Sequence, residues 1–309
     1  MTLAMIPATL NAKVRRLHLW ARGAVEDWLG GAYRSVFKGV GIAFEEVREY
    51  QPGDDVRAID WNVTARIGTP FIKRFVEERE LTVMLALDLG ESMAFGSGVR
   101  TKRQCAAETL ALIVLAAVSN NDRVGLLLSA GNVQKLIPPR KGTRHALRLL
   151  RDLLQASHGE PLAGHVRRVS ESGMGAGLQT IQRVLHRRAL VFVASDFALP
   201  GYERPLRWIA ARHDVIALFP QDEWESALPD VGMLALRDPD TGGALVLDTH
   251  DVAIRDQYRA RMAERVRQLS HAVRRAGADW IGISTDGSHL EALRQFFRRR
   301  ERRHKPACR

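Results

Sequence analysis

Cysteine, aromatic residues and long apolar runs are all scarce in this chain of 309 residues. Its two cysteines, Cys105 and Cys308, are too few for a disulfide framework, which is typical of proteins from a reducing compartment. The longest apolar run, 110–118, is much shorter than the roughly 18–20 residues that a membrane-spanning helix needs. No basic stretch precedes an apolar core at the N-terminus, so a signal peptide is not predicted. We therefore expect a cytoplasmic protein without a membrane span.

The motifs of several common enzyme classes are also missing. The segment Lys141-Gly142-Thr143 has the wrong order for a phosphate-binding loop, and neither His-Glu-x-x-His nor Gly-x-Ser-x-Gly occurs. The glycines at positions 173, 175 and 177 follow no clear strand, so we interpret them as a flexible loop and not as a dinucleotide site. A metal-dependent phosphohydrolase is a weak alternative, because no general acid accompanies the candidate aspartates described below. We expect a protein that is not an enzyme.

Positive charge is abundant: the formal net charge is +11. Much of it is local, since the stretch 298–309, RRRERRHKPACR, carries seven Lys or Arg residues against one Glu. A solvated basic tail explains this stretch. Nucleic-acid binding is the alternative hypothesis, although an aromatic content of 6% offers no obvious platform for base stacking.

From residue 81 onward the hydrophobic pattern alternates between strands and helices. Buried strands are predicted at 81–88, 189–196, 213–220 and 279–285, and 123–139 is predicted to form an antiparallel hairpin whose second strand lies at a sheet edge. The sequence therefore predicts an α/β fold with a doubly wound, mostly parallel sheet. It also predicts an N-terminal helical segment over 1–32, a small β-rich module over 33–80, the α/β domain over 81–300 and a basic tail over 301–309.

Polar side chains follow three of the predicted elements. Asp88 ends the first buried strand and is followed by Ser92, Thr143 precedes a helix, and Asp196 ends a later strand. Helix capping is a common reason for such residues. Ligands in doubly wound sheets, however, lie at the carboxyl ends of the strands, and carboxylate and hydroxyl oxygens suit a hard cation such as Mg²⁺. Convergence of these side chains at one edge would make a metal site.

These residues resemble the metal-ion-dependent adhesion site of von Willebrand factor A domains. Asp88-Leu89-Gly90-Glu91-Ser92 is similar to the Asp-x-Ser-x-Ser part of that motif, with Gly90 in place of its first serine. The resemblance implies that Asp88, Ser92, Thr143 and Asp196 bind Mg²⁺, or Mn²⁺ or Ca²⁺, and that the site binds a protein partner. Because glycine supplies no ligand, the site is a degenerate one.

A longer resemblance covers residues 39–88. REYQPGDD, IDWNVTAR and KRFVEERE before the first sheet strand resemble the bacterial family called domain of unknown function fifty-eight. Members are commonly encoded beside MoxR-type AAA+ ATPases, so the resemblance implies an adaptor that binds such an ATPase or its client in chaperone-like assembly. The dense mixed charges of this run are explained either by an ion-pair network or by a docking surface. Trp61 is predicted to lie in the core.

Overall fold

The computed structural model describes residues 43–52, 54–76, 80–159, 173–237 and 242–304. The described residues divide into two compact units, a small one that ends at Leu81 and a larger one that begins at Thr82. The helix predicted over 1–32 lies outside the described residues. Within the described part of the chain, no helix is long and apolar enough to cross a membrane.

The small unit is an antiparallel strand pair with a short helix between the strands. Strand β1 (Ala43–Glu49) pairs with β2 (Phe71–Val76), and helix α1 (Trp61–Ile67) lies between them in sequence. Asp60 caps α1 by accepting hydrogen bonds from the backbone N–H groups of Asn62 and Val63. Trp61 directly follows this buried cap and is 70% exposed, so the prediction of a core tryptophan is wrong.

Two residues of the mixed-charge run form an ion pair within this unit. Arg48 Nη2 lies 2.7 Å from Asp54 Oδ1, and this hydrogen bond lowers the pKa of the Asp54 carboxyl below its usual value. Asp55 caps a short 3₁₀ turn by accepting from the N–H of Arg57. The side chains of Lys73, Arg74, Glu77 and Glu78 lie outside the described residues, so the choice between a network and a docking surface stays open.

The larger unit is built on a six-stranded sheet. Its elements are β3 (Thr82–Asp88), α2 (Lys102–Ser119), β4 (Arg123–Ala130), β5 (Asn132–Arg140), α3 (Thr143–Ser157), α4 (Gly175–Val184), β6 (Leu190–Ala194), α5 (Glu203–Ala210), β7 (Asp214–Gln221), α6 (Glu223–Ser226), β8 (Met233–Arg237), β9 (Ala244–Asp248), α7 (Val252–Arg275), β10 (Asp279–Ser284) and α8 (His289–His304). The sheet order is β10-β7-β6-β3-β4-β5, with only the β4–β5 pair antiparallel, and β8–β9 form a separate hairpin. The predicted fold class and the edge hairpin are confirmed.

Helices cover both faces of the sheet, which explains its continuous apolar strands. Alternate residues of β3 point to opposite faces, yet all of 83–88 are buried. One face packs against α4, α5 and α7, and the other against α2, which contacts α3 and α8. The stretch 109–118 of helix α2 has apolar residues on nearly every side, because the helix lies between the sheet and other helices.

Two segments differ from their predictions. Gly175 and Gly177 belong to the first turn of α4 and are buried, so the prediction of a flexible loop over 173–177 is wrong there. Helix α8 continues to His304, so the first four residues predicted as basic tail are helical. Arg300, just before that predicted boundary, is buried and bonded to Asp214 and Asp279.

Close packing at the start of α4 requires Gly175. A Cβ built there would lie 2.6 Å from the carbonyl oxygen of Gly201, which is backbone and cannot swing aside. We expect Gly175→Ala to lower the free energy of unfolding by about 2 kcal/mol, because overpacking outweighs the better helix propensity of alanine. Urea unfolding at neutral pH measures this change.

The matched control is Gly282→Ala in β10, where an added Cβ would meet nothing within 4 Å. We expect this variant to change stability by less than about 0.5 kcal/mol. An equal effect of the two substitutions would contradict the packing argument.

Candidate functional site

The candidate site lies where the strand order of the large sheet reverses. Strand β3 is followed in the chain by its neighbour β4 on one side, whereas β6, on its other side, begins the second half of the sheet. Such a switch point leaves a crevice at the carboxyl ends of the two strands. Asp88 is the last residue of β3, and Asp196 comes two residues after the end of β6.

Hydrogen bonds hold the Asp88 carboxylate firmly. Its Oδ1 accepts from the backbone N–H of Gly90 at 2.9 Å, and its Oδ2 accepts from the hydroxyl of Ser195 at 2.6 Å. The Ser195 hydroxyl in turn accepts from the N–H of Phe197 at 3.0 Å. Since a Cβ at Gly90 would lie 3.2 Å from Asp88 Oδ1, the missing side chain gives the loop room to turn back onto this carboxylate.

Asp196 is bound to an ammonium group supplied by the protein itself. Lys102 Nζ lies 2.8 Å from Asp196 Oδ2 and 2.6 Å from Glu225 Oε1, although the lysine side chain is only 2% exposed. Asp196 Oδ1 also accepts from the N–H of Ala198 at 3.2 Å, and the Ser92 hydroxyl donates to the same carboxylate. Lys102 is the first residue of α2, so the helix that covers the sheet also positions this cation.

The electrostatics of this triad keep Lys102 and Asp196 charged. Burial opposes ionisation of Lys102, but the charges of Asp196 and Glu225 outweigh it and raise the lysine pKa above its usual value. Burial likewise opposes ionisation of Asp196, but Lys102 and the hydrogen bonds from Ser92 and Ala198 lower the pKa of its carboxyl. For Glu225 burial prevails over Lys102, so its pKa is raised.

Thr143 does not join these residues. Strand β5 runs antiparallel to β4, so its end at Arg140 pairs with Val124, near the start of β4, whereas Asp88 pairs with Ser129 near the end. At about 3.3 Å per residue, the two positions are roughly 16 Å apart along the sheet. The prediction that Thr143 shares the site is therefore wrong, because β5 carries the chain back to the end of the sheet where β3 and β4 begin.

A small cleft opens over this cluster. Asp88, Ser92, Ser195 and Asp196 line it together with residues from four segments of the chain: Gly90, Ala130, Gly131, Gly173, Met174, Phe197, Ala198, Leu199 and Tyr202. Phe197 adopts a left-handed backbone conformation with φ of 49°, which is strained for a bulky residue. Strain of this kind concentrates at functional sites, and the residues that follow, Ala198 and Leu199, line the cleft.

The residues present do not fit a divalent metal ion. The Lys102 ammonium already bonds to Asp196, and a second cation beside it would be repelled. Gly90 offers no ligand, and Thr143 lies at the other edge of the sheet. Within the described residues, no group of three or more His, Cys, Asp or Glu side chains is placed to hold a metal. The structure therefore brings Asp88, Ser92 and Asp196 to one cleft, in which Asp196 is paired with the Lys102 ammonium group.

A buried aspartate organises the adjoining strand ends. Asp222, after β7, accepts hydrogen bonds from the N–H and hydroxyl of Ser97 at 3.0 and 2.6 Å, from the N–H of Trp224 at 3.0 Å and from the hydroxyl of Thr285 at 3.0 Å. Burial would raise the pKa of this carboxyl, but these donors outweigh it and lower the pKa. The loop after β3 is thereby tied to the ends of β7 and β10.

No role in the site was predicted from the sequence for Lys102, Glu225 or Ser195, which contact one another or the two aspartates in the structure. Lys102 carried a signal, because it is the first residue after the Thr101 cap of a helix that is mostly apolar. A charged residue in such a helix needs an internal partner. Glu225 carried no comparable signal, since it lies in the short helix α6 and meets Lys102 only through the fold.

A second polar cluster contains a cysteine, a histidine and a glutamate. Cys105 Sγ lies 3.6 Å from His289 Nδ1, and His289 Nε2 lies 3.0 Å from Glu108 Oε2. Burial raises the pKa of the Cys105 thiol to about 12, so it is protonated at neutral pH. The cluster joins α2 to α8 and does not contain an activated nucleophile.

Comparison with known proteins gives the family. The family model "Protein of unknown function DUF58" matches residues 46–268. The uncharacterized protein Rv1480 of Mycobacterium tuberculosis is 32% identical over 294 residues, which cover 95% of this chain and 90% of the relative. YeaD of Bacillus subtilis is 29% identical over 123 residues, which cover 39% of this chain and 29% of the relative.

Solved structures show weaker likeness. BatB from Bacteroides thetaiotaomicron has a TM-score of 0.46 and 16% identity, and the match covers 72% of this chain and 99% of that one. A von Willebrand factor type A protein from Catenulispora acidiphila has a TM-score of 0.40 and 10% identity, with 72% and 42% covered. The family model and the mycobacterial relative agree with the resemblance of residues 39–88, and the chain belongs to the DUF58 family of proteins of unknown function.

Proposed function

We propose that this protein is a non-enzymatic adaptor that binds a partner protein at the cleft over Asp88, Ser92 and Asp196. One observation carries the proposal: polar side chains converge at the switch point of the sheet, where open α/β sheets bind ligands. The hydrogen bonds on the Asp88 and Asp196 carboxylates hold these side chains in one arrangement. A partner that binds to preorganised groups loses less affinity to the entropic cost of ordering them.

The same contacts favour binding over catalysis. A general base is most effective when its pKa lies near the operating pH, but Lys102 lowers the pKa of Asp196, and Asp88 already accepts hydrogen bonds from Gly90 and Ser195. Because the cation of the site is a lysine, binding requires no metal. The chemistry we infer is adhesion, in which hydrogen bonds form and no covalent bond breaks.

The partner is a MoxR-type AAA+ ATPase or its client. The motifs of residues 39–88 and the family membership support this choice, since the resemblance implies an association with such ATPases. Leu199 lines the cleft and is half-buried. Because its side chain is apolar, its replacement tests the surface of the cleft without removing a partner of Lys102, Asp196 or Glu225.

The test is an affinity pull-down from nuclease-treated host lysate with Mg-ATP, read by mass spectrometry. We expect the wild type to retain a MoxR-type ATPase and both Leu199→Glu and Asp88→Asn to lose at least about tenfold of it, which corresponds to about 1.4 kcal/mol of binding free energy. The control is Arg144→Glu with Arg148→Glu on α3, far from the cleft. If no AAA+ ATPase is retained, or if the cleft variants retain as much as the wild type, the proposal is overturned.

A further inference from the structure

Strand β10 forms one edge of the large sheet. Among the described strands it pairs with β7 alone, so its other side carries a row of backbone N–H and C=O groups that no strand of the described chain uses. A groove of about 220 Å³, open to solvent, runs along this strand and is also lined by the end of α7 and by α8. None of its lining residues belongs to the cleft described above.

Arginines dominate this groove, which we call the arginine groove and define by Arg274, Trp280, Gly282, Phe296, Arg299 and Arg303. Arg274, Arg299 and Arg303 are exposed at its rim. Buried Arg300, in the C-terminal part of α8, donates hydrogen bonds to Asp214 of β7 and to Asp279 of β10. Its Nη1 lies 2.7 Å from Asp279 Oδ2. Asp279 Oδ1 also lies 3.6 Å from Arg303 Nη1. Among the described residues that line the groove there are four arginines and only this one aspartate, so the groove carries an excess of positive charge.

The shape of the arginine groove suits an extended backbone. Gly282 is exposed in β10, and a Cβ there would meet nothing within 4 Å, so a neighbouring chain can approach the strand closely. Trp280 and Phe296 give the groove apolar surface between the charged groups. Strand addition supplies affinity through main-chain hydrogen bonds, and side chains at alternate positions supply specificity.

We propose that the arginine groove binds an extended acidic peptide segment of a partner protein, which adds to the sheet as a strand beside β10. Guanidinium groups pair with carboxylates through two parallel hydrogen bonds, so Arg274, Arg299 and Arg303 select glutamate and aspartate. This surface is separate from the adhesion cleft and is tested independently of it.

Charge and chemistry distinguish this occupant from two others. The chain's own residues 1–42 contain six Lys or Arg residues (13, 15, 16, 22, 34 and 38) against two acids (26 and 27), so the groove repels them. A nucleic acid supplies negative charge but has no peptide N–H and C=O groups with which to extend a sheet. An acidic peptide satisfies both the arginines and the strand edge.

The probe is a fluorescein-labelled peptide of about ten residues in which glutamate and valine alternate, followed by anisotropy at low salt. We expect saturable binding to the full chain and at least about tenfold weaker binding of the same peptide with glutamine in place of glutamate. Arg299→Glu with Arg303→Glu should weaken binding by about tenfold or more. Gly282→Trp should also weaken it, because the added side chain leaves β10 at an open position and obstructs the close approach of a peptide backbone.

The matched control is Arg144→Glu with Arg148→Glu, an exposed pair with the same spacing on α3, which should bind the peptide as the wild type does. Absence of saturable binding overturns the proposal, as does equal weakening by the control pair or unchanged binding by Gly282→Trp. A labelled DNA duplex that binds more tightly than the peptide, and is lost with Arg299→Glu and Arg303→Glu, would assign the groove to nucleic acid instead.

Discussion

Replacing Lys102 with methionine should lower the free energy of unfolding by about 4 kcal/mol, because it leaves the buried Asp196 carboxylate and the half-buried Glu225 carboxylate without their shared cation. Asp196 and Glu225 both bond to the lysine Nζ, and the methionine side chain preserves most of the packing of α2 without the charge. Denaturant unfolding at pH 7 measures the loss. Since the wild-type site holds its own cation, millimolar Mg²⁺ should leave the melting temperature of the wild type unchanged.

Two further variants make this result specific. Lys102→Met combined with Asp196→Asn and Glu225→Gln should recover most of the lost stability, since no buried charge then lacks a partner. Arg267→Met breaks an exposed pair with Glu264 on α7 and should cost no more than about 0.5 kcal/mol. Equal costs for Lys102→Met and Arg267→Met, or a Mg²⁺-dependent rise in the wild-type melting temperature, would refute the internal-cation interpretation.

Asp222→Ala should cost a comparable amount, about 4 kcal/mol, because it removes the acceptor for four hydrogen bonds at a buried position. The effect should depend on pH. Donors depress the pKa of Asp222 in the folded protein, so its contribution is fully present above the pKa of the unfolded chain, about 4, and is lost as pH falls through the lower folded value. Unfolding measured at several pH values between about 2 and 7 follows this loss.

The conservative variant Asp222→Asn separates charge from shape. At neutral pH it should be less stable than the wild type, and the difference should shrink in acid as the wild-type carboxyl takes up a proton. Asp256→Ala, which removes an exposed partner of Arg259, should cost no more than about 0.5 kcal/mol. A difference between wild type and Asp222→Asn that stays constant down to about pH 2 would show that the charge contributes nothing.

The fold could be predicted from the sequence because periodicity reports burial. Strands such as 83–87 and 190–194 are apolar at every position because helices cover both faces of the sheet, and this pattern can be recognised without knowledge of tertiary contacts. Asp88 and Asp196 were found for the same reason: each follows such a strand, and parallel neighbours end at one edge.

The rest of the site depends on information that periodicity lacks. Thr143 was misplaced because it follows β5, and the antiparallel direction of β5 puts the residues after it at the opposite end of the sheet from Asp88. Gly175 was assigned to a loop because its glycine-rich segment follows no clear strand, whereas in the structure the close approach of the Gly201 carbonyl requires glycine at this position of α4. Glu225 meets Lys102 across 123 residues of sequence, a pairing that no local pattern encodes.

The cation of this site is covalently part of the polypeptide. A site loaded from solution responds to ion concentration, chelators and competing metals, and it can stand empty. Lys102 is delivered by synthesis of the chain, reaches its two carboxylates when α2 packs on the sheet, and leaves only when the domain unfolds. The presence of the Lys102 cation at Asp196 and Glu225 is therefore tied to folding of the domain. Any control over the proposed binding of a partner at the cleft then has to act on the partner, on the surrounding loops or on the amount of protein made.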